Sequence, residues 1–139
     1  QVNRSITKHK GVVRGLHFQY PPHAELKIIT CLSGAVWDVA VDLRKNSPTF
    51  LQHHSILLTG RNLQSYLVPE GFAHGFQTLT TDCEMLYFHT ADRNAAAEGA
   101  INATDPKLAI TWPEPIAERS RRDIEQPMLT CEFSGIEII

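Results

Sequence analysis

From residue 11 to about residue 90 the chain is a succession of short apolar or alternating runs, each cut off by residues that turn a backbone. The runs cover 11–19, 26–32, 35–43, 50–58, 64–68, 73–80 and 83–90 and are rich in Val, Ile, Leu, Phe and Thr. The breaks carry Pro21-Pro22, Ser33-Gly34, Asn46-Ser47-Pro48, Gly60 and Pro69-Glu70-Gly71. Runs this short, at this spacing, suit strands and predict an all-β sandwich or barrel. Residues 37–42 show the period of two: Trp37, Val39 and Val41 fall on one face, Asp38, Ala40 and Asp42 on the other. Short helical segments are expected only late in the chain, at 93–98 and about 117–124. Residues 105–115 read as an extended connection pinned by proline.

With 139 residues, 42% hydrophobic and 20% charged, the chain suits one domain, 1–139, with a core of its own. A formal net charge of −2 provides no basic field for nucleic acid or an anionic membrane, so phosphate binding falls to individually placed Arg and Lys. No apolar run approaches the roughly 18–20 residues of a membrane-spanning helix. No basic, then apolar, then small-residue pattern opens the chain as a signal peptide would. Cys31, Cys83 and Cys131 are odd in number and lack a CxxC spacing, which predicts buried free thiols in a reducing compartment, hence the cytoplasm.

Residues able to do chemistry fall in five places. In Arg14-Gly-Leu-His17-Phe-Gln19, strand alternation puts Arg14 and Leu16 on one face and Gly15, His17 and Gln19 on the other. A histidine facing inward needs a partner, and it reads as a held core residue or as a base. In Pro69-Glu-Gly-Phe-Ala-His74, a tight turn leads into an apolar strand with His74 near its start. Lys27, among Leu26, Ile28 and Ile29, reads either as an edge residue with its head in water or as a cation for an enolate oxygen. Tyr87 is core filling or, facing a cavity, a proton donor. The stretch from Glu118 to Asp123 reads as a solvated turn.

The order of these blocks carries more than any one of them. Arg-Gly-Leu-His-Phe-Gln, Pro-Pro-His-Ala-x-x-Lys, Gly-Ala-Val-x-Asp-Val-Ala-Val-Asp-Leu-Arg and Ser-Pro-Thr-Phe come first. Val-Pro-Glu-Gly-Phe-Ala-His-Gly-Phe, Leu-Tyr, Thr-Asp-Pro and Ser-x-x-Asp-x-x-x-Pro follow. Together, from Gln1 to about Met128, they resemble the dTDP-4-dehydrorhamnose 3,5-epimerase family. That resemblance implies a cupin-type jelly-roll β-barrel acting as a homodimer on a nucleotide-diphosphate sugar, with no metal and no cofactor. It implies His17 as the base beside a ketone, Asp123 as the carboxylate that orients it, and Tyr87 as the acid returning a proton from the opposite face. It further implies Lys27 and His74 around the ketone and enolate. Arg14 is implied on the diphosphate, Gln1 and Asn3 on the nucleotide side, and Glu98 and Arg122 at further substrate positions.

The family's second tyrosine, six residues after the acid, is replaced here by Arg93, whose guanidinium can also stack on a base. GDP-, CDP- and UDP-linked sugars are therefore admitted beside dTDP-sugars. The family's leading segment has no counterpart before Gln1 and is expected to be missing. Three alternatives stay open: a metal-dependent cupin dioxygenase or isomerase using His17, His23, Glu25 and His74, a keto-isomerase, and a sugar-nucleotide binder without activity.

Overall fold

The structure, a computed structural model, describes residues 1–139. The strands are β1 (Val2–Thr7), β2 (Val13–Gln19), β3 (Lys27–Ser33), β4 (Ala35–Asp42), β5 (His53–Thr59), β6 (Ser65–Val68), β7 (Phe72–Thr78), β8 (Cys83–His89) and β9 (Glu98–Ala100), and one helical turn, α1 (Arg121–Ile124), follows. They form two antiparallel sheets, ordered β1-β8-β3-β6 and β5-β4-β7-β2-β9. The two sheets face each other as a cupin-like jelly roll, the all-β class that the turn spacing predicts.

Both faces of the five-stranded sheet are buried. Toward the other sheet, Val36, Ala40, Leu58 and Phe76 pack with Ile29, Cys31, Val68, Cys83 and Met85. On its back, Val13, Leu16, Phe18, Val39 and Val41 are covered by Ile101, Ala103, Leu108 and Ile136 from the chain after β9. Each fully buried Leu or Ile contributes about 1.5–3 kcal/mol, enough for a few of them to hold that irregular segment down. The alternation along β4 follows from this: Val39 and Val41 point to the back, and Asp38 points into the barrel at 0% exposure.

Several expectations change. β1 precedes the first expected strand; its pattern Val-Asn-Arg-Ser-Ile-Thr has no purely apolar inner face, and the ladder to β8 forms it. Residues 93–98 are not helical. The Asn94 side chain accepts from the N–H groups of Ala96 and Ala97 (3.0 and 3.2 Å), a local turn that competes with a helix, and the chain then enters β9. Of 117–124 only Arg121–Ile124 is helical, capped by Ser120. Cys31 and Cys83 are buried free thiols, but Cys131 is exposed, since it lies on the irregular tail rather than in a strand.

Candidate active site

Register places the polar side chains of the interior. One residue more on β2 than on β7 separates the pairs Arg14↔Phe76 and His17↔His74. This bulge breaks strict alternation, so Arg14 and His17 line the same cavity instead of opposite faces. Two glycines permit it. Gly15 has φ +119°, and a Cβ there would sit 2.7 Å from Gly75 Cα; the strands close to backbone distance beside His17.

The cavity, about 590 Å³, opens between the two sheets. From the five-stranded sheet it receives Arg14, His17, Gln19, His74 and Glu98. From the four-stranded sheet come Asn3, Ser5, Lys27, Tyr87 and His89, with Gln1 and Glu25 beside them and Arg93 and Arg122 at the mouth. Ten of the eleven residues singled out by the family resemblance, Arg93 included, thus line one cavity, and His23 of the metal alternative does not. Asp123 stands behind it, 2% exposed, on a smaller pocket shared with His17.

Two histidine–carboxylate pairs occupy the wall. His17 Nε2 is 2.7 Å from Asp123 Oδ1, and Asp123 Oδ2 accepts from Gly15 N–H at 3.1 Å. Burial pushes the Asp123 carboxyl up, but hydrogen bonding and charge from His17, with Gly15 N–H and Ser120, outweigh it and hold the group below its usual range. His74 Nε2 is 2.7 Å from Asp38 Oδ1, both deeply buried. There burial pushes the Asp38 carboxyl up against the pull of His74 and Lys27, and Oδ2 has no partner.

Tyr87 faces these groups from the opposite sheet, its ring edge-on to His74 at 6.3 Å. Burial raises its phenol well above the ordinary value, so the proton stays on oxygen at neutral pH. Lys27 is not an edge residue. It is 8% exposed, its Nζ 3.3 Å from Glu25 Oε1. At the mouth, Glu98 lies between Arg93 (Nε–Oε1 2.5 Å) and Arg122 (Nη1–Oε2 3.0 Å).

The histidines named for a metal alternative do not converge. His17 pairs with Asp123, His74 with Asp38 and His23 with Asn94, while Glu25 serves Lys27 and His89. No three His, Cys, Asp or Glu side chains gather around a point that could hold a metal ion. Asp38 and His89 escaped notice in the sequence. A charged residue inside Val-Trp-Asp-Val-Ala-Val was a signal for the first, and the spacing of two from Tyr87 for the second.

A sequence model described as dTDP-4-dehydrorhamnose 3,5-epimerase matches residues 1–130. The dTDP-4-dehydrorhamnose 3,5-epimerase of Mycobacterium tuberculosis is 45% identical over 113 residues, 81% of this chain and 55% of that protein. The chain therefore spans about half the length of this relative. The enzyme of the same name from Salmonella typhimurium is 44% identical, covering 93% of this chain and 70% of that protein. Among solved structures, the dTDP-6-deoxy-D-glucose-3,5-epimerase of Legionella pneumophila, in complex with dTDP-4-keto-L-rhamnose, superposes with a TM-score of 0.89 at 36% identity. It covers all of this chain and 75% of that one.

Proposed function

The chain belongs to the dTDP-4-dehydrorhamnose 3,5-epimerase family, and we propose that it inverts C3, C5 or both of a nucleotide-diphosphate 4-keto-6-deoxy sugar. The observation that carries this reading is that His17 and Tyr87 enter one cavity from opposing sheets. A base and an acid on opposite sides of a planar enolate invert a carbon centre; on the same side they return the starting isomer.

His17, with Nε2 tied to Asp123, has Nδ1 free to take the proton α to the ketone. The C–H pair becomes the enolate double bond, and the carbonyl oxygen gains negative charge. Lys27 and His74 hold that charge, worth more in a site closed from water than outside it. Tyr87 delivers its proton to the other face of the carbon. His17 then loses a proton to solvent and Tyr87 regains one. The raised phenol suits this order, since it yields its proton to a carbanion-like centre and not to water.

Arg14 serves the diphosphate, Gln1 and Asn3 the nucleotide side, and Arg93, Glu98 and Arg122 the mouth where the base lies. No cofactor enters this scheme. The test is NMR of products formed in D2O from dTDP-, GDP- and CDP-linked 4-keto-6-deoxy sugars. Deuterium at C5 or C3 with inversion supports the reading, whereas no exchange with any of them overturns it.

The active form is proposed to be a homodimer. Val2, Phe88, Ile28 and Leu67 form one exposed cross-strand row on the outer face of the four-stranded sheet, with Ile6 and Leu32 beside it. Apolar surface this continuous is normally covered. Sedimentation equilibrium giving a monomer would overturn this part. The free thiols of Cys31 and Cys83 fit a cytoplasmic enzyme.

A further inference from the structure

The epimerase scheme leaves two buried titratable groups of the cavity without a task. Glu25 and His89 are about one-tenth exposed in their side chains. Glu25 Oε1 is 3.3 Å from Lys27 Nζ, and Oε2 is 3.1 Å from His89 Nδ1. Burial pushes the Glu25 carboxyl up, but the His89 hydrogen bond and the Lys27 charge hold it below its usual range, so it stays an acceptor. His89 Nε2 in turn faces Asn3 Nδ2 at 3.4 Å, Asn3 Oδ1 accepts from Gln1 Nε2 at 2.9 Å, and Gln1 Oε1 accepts from the Arg93 N–H at 2.8 Å. Gln1, His89 and Lys27 stand in one cross-strand row, so the sheet itself fixes the spacing.

We propose that Glu25 and His89 are positioning residues for Lys27, the last links of a hydrogen-bonded chain whose direction is set at the cavity mouth by the backbone N–H of Arg93. The direction follows from which groups cannot reverse. A backbone N–H only donates, a carboxylate only accepts and an ammonium only donates. With the Arg93 N–H fixed as donor, Gln1 must present Oε1 to it and Nε2 to Asn3. Asn3 must then present Oδ1 to Gln1 and Nδ2 to His89. His89 Nε2 is thereby forced to accept, and the ring proton resides on Nδ1, pointing at Glu25. Any other protonation of His89 breaks one link. A histidine whose tautomer is chosen by its neighbours, and which orients a carboxylate that orients a cation, ties the mouth of the cavity to the group beside the ketone. Binding at the nucleotide end would then show in turnover as well as in affinity.

The task given to Lys27 rests on the proposed epimerase reading; the chain of hydrogen bonds does not. The test uses the intact protein labelled with 15N-histidine. The expected result is a neutral His89 with its proton on Nδ1. In Asn3→Asp, where an acceptor replaces the Nδ2 donor, the proton should move to Nε2 or a second one should bind. His89→Leu and Glu25→Gln should each lower kcat about tenfold, by analogy with the lower end for partners that orient metal ligands, with KM little changed. A wild-type His89 protonated on Nε2, or one indifferent to Asn3→Asp, overturns the chain. Unchanged kcat in both other variants, or a change in KM alone, overturns the positioning of Lys27. Should the protein turn nothing over, the Lys27 ammonium resonance decides instead. Slow exchange in wild type and fast exchange in Glu25→Gln supports the proposal, and equal rates overturn it.

Discussion

Asp123 holds His17 from behind, with one carboxylate oxygen 2.7 Å from Nε2 and the other taking the Gly15 N–H at 3.1 Å. The second bond matters as much as the first, because it anchors the carboxylate to the backbone of the strand that carries the histidine. The imidazole is thus fixed in tautomer and in angle, and the positive charge it gains on taking a proton meets a carboxylate already ionised. Replacing Asp123 by Asn keeps the shape but loses the charge. Exchange of the substrate's α protons should slow by up to roughly 10²–10⁴-fold, the worth of the general base that Asp123 orients. His17→Ala should abolish exchange at both carbons. Both are read as deuterium incorporation by NMR, and full-rate exchange in His17→Ala would remove His17 from the chemistry.

In the proposed scheme Tyr87 separates the two half-reactions. Its phenol lies on the opposite sheet from His17, partly buried, and desolvation keeps its proton on oxygen. Tyr87→Phe should leave proton removal by His17 intact and stop delivery from the far face. Exchange should therefore persist while net inversion falls by roughly 10²–10⁴-fold. Equal loss of both activities would mean that Tyr87 binds substrate and gives it no proton.

Gly75→Ala tests the close approach beside His17. A Cβ there would lie 2.5 Å from the Arg14 carbonyl oxygen and 2.8 Å from a Leu16 methyl, and backbone cannot yield as a side chain does. The variant should lose about 1–3 kcal/mol of stability, the cost of overpacking, in urea denaturation. Because Arg14 and His17 flank the contact, turnover should fall in protein that remains folded. A stable variant of normal activity would show that β2 moves freely.

Asp42 sets an acid limit on the fold. Its carboxylate takes the Arg44 N–H, the Arg44 guanidinium and the hydroxyls of Ser47 and Thr49, closing the loop after β4. Burial pushes this carboxyl up, but those bonds far outweigh it and hold it well below the usual range. Below an unfolded value of about 3.9 the unfolded chain binds the proton and the folded one does not. The stabilisation is therefore complete above about pH 5 and is lost as pH falls through the acid range. Asp42→Asn should cost about 1.5–2 kcal/mol at pH 7, the low end for bonds to a charged group because Arg44 is half-exposed. The loss should shrink toward pH 3 in thermal melts; a loss independent of pH would assign it to shape alone.

The strand class of the fold was legible because short apolar runs and turn residues act locally. A Pro-Pro or Ser-Gly break ends a strand whatever lies across from it. The candidate residues were legible as an ordered set, and ten of them do share a cavity. Strict alternation fails on β2. It set Arg14 and His17 on opposite faces, and the bulge against β7 put them on one. The sequence left Lys27 open between an edge residue and a cation of the cavity, and the fold draws it inside beside Glu25. The stretch 93–98 reads as a short helix in the sequence, and the side chain of Asn94 makes a turn there instead.

Sequence by itself determined which residues could do acid–base work and that His17, His74 and Tyr87 would sit on strands, because residue type and period are properties of the chain. Only the tertiary structure decided that His17 and Tyr87 face each other from opposing sheets, that Asp123 stands behind the one, and that Glu25 lies between Lys27 and His89. These partners are 106 residues apart for His17 and Asp123 and 64 for Glu25 and His89. No local pattern encodes such pairs; they arise when burial removes water and each polar group must find its partner in the folded interior.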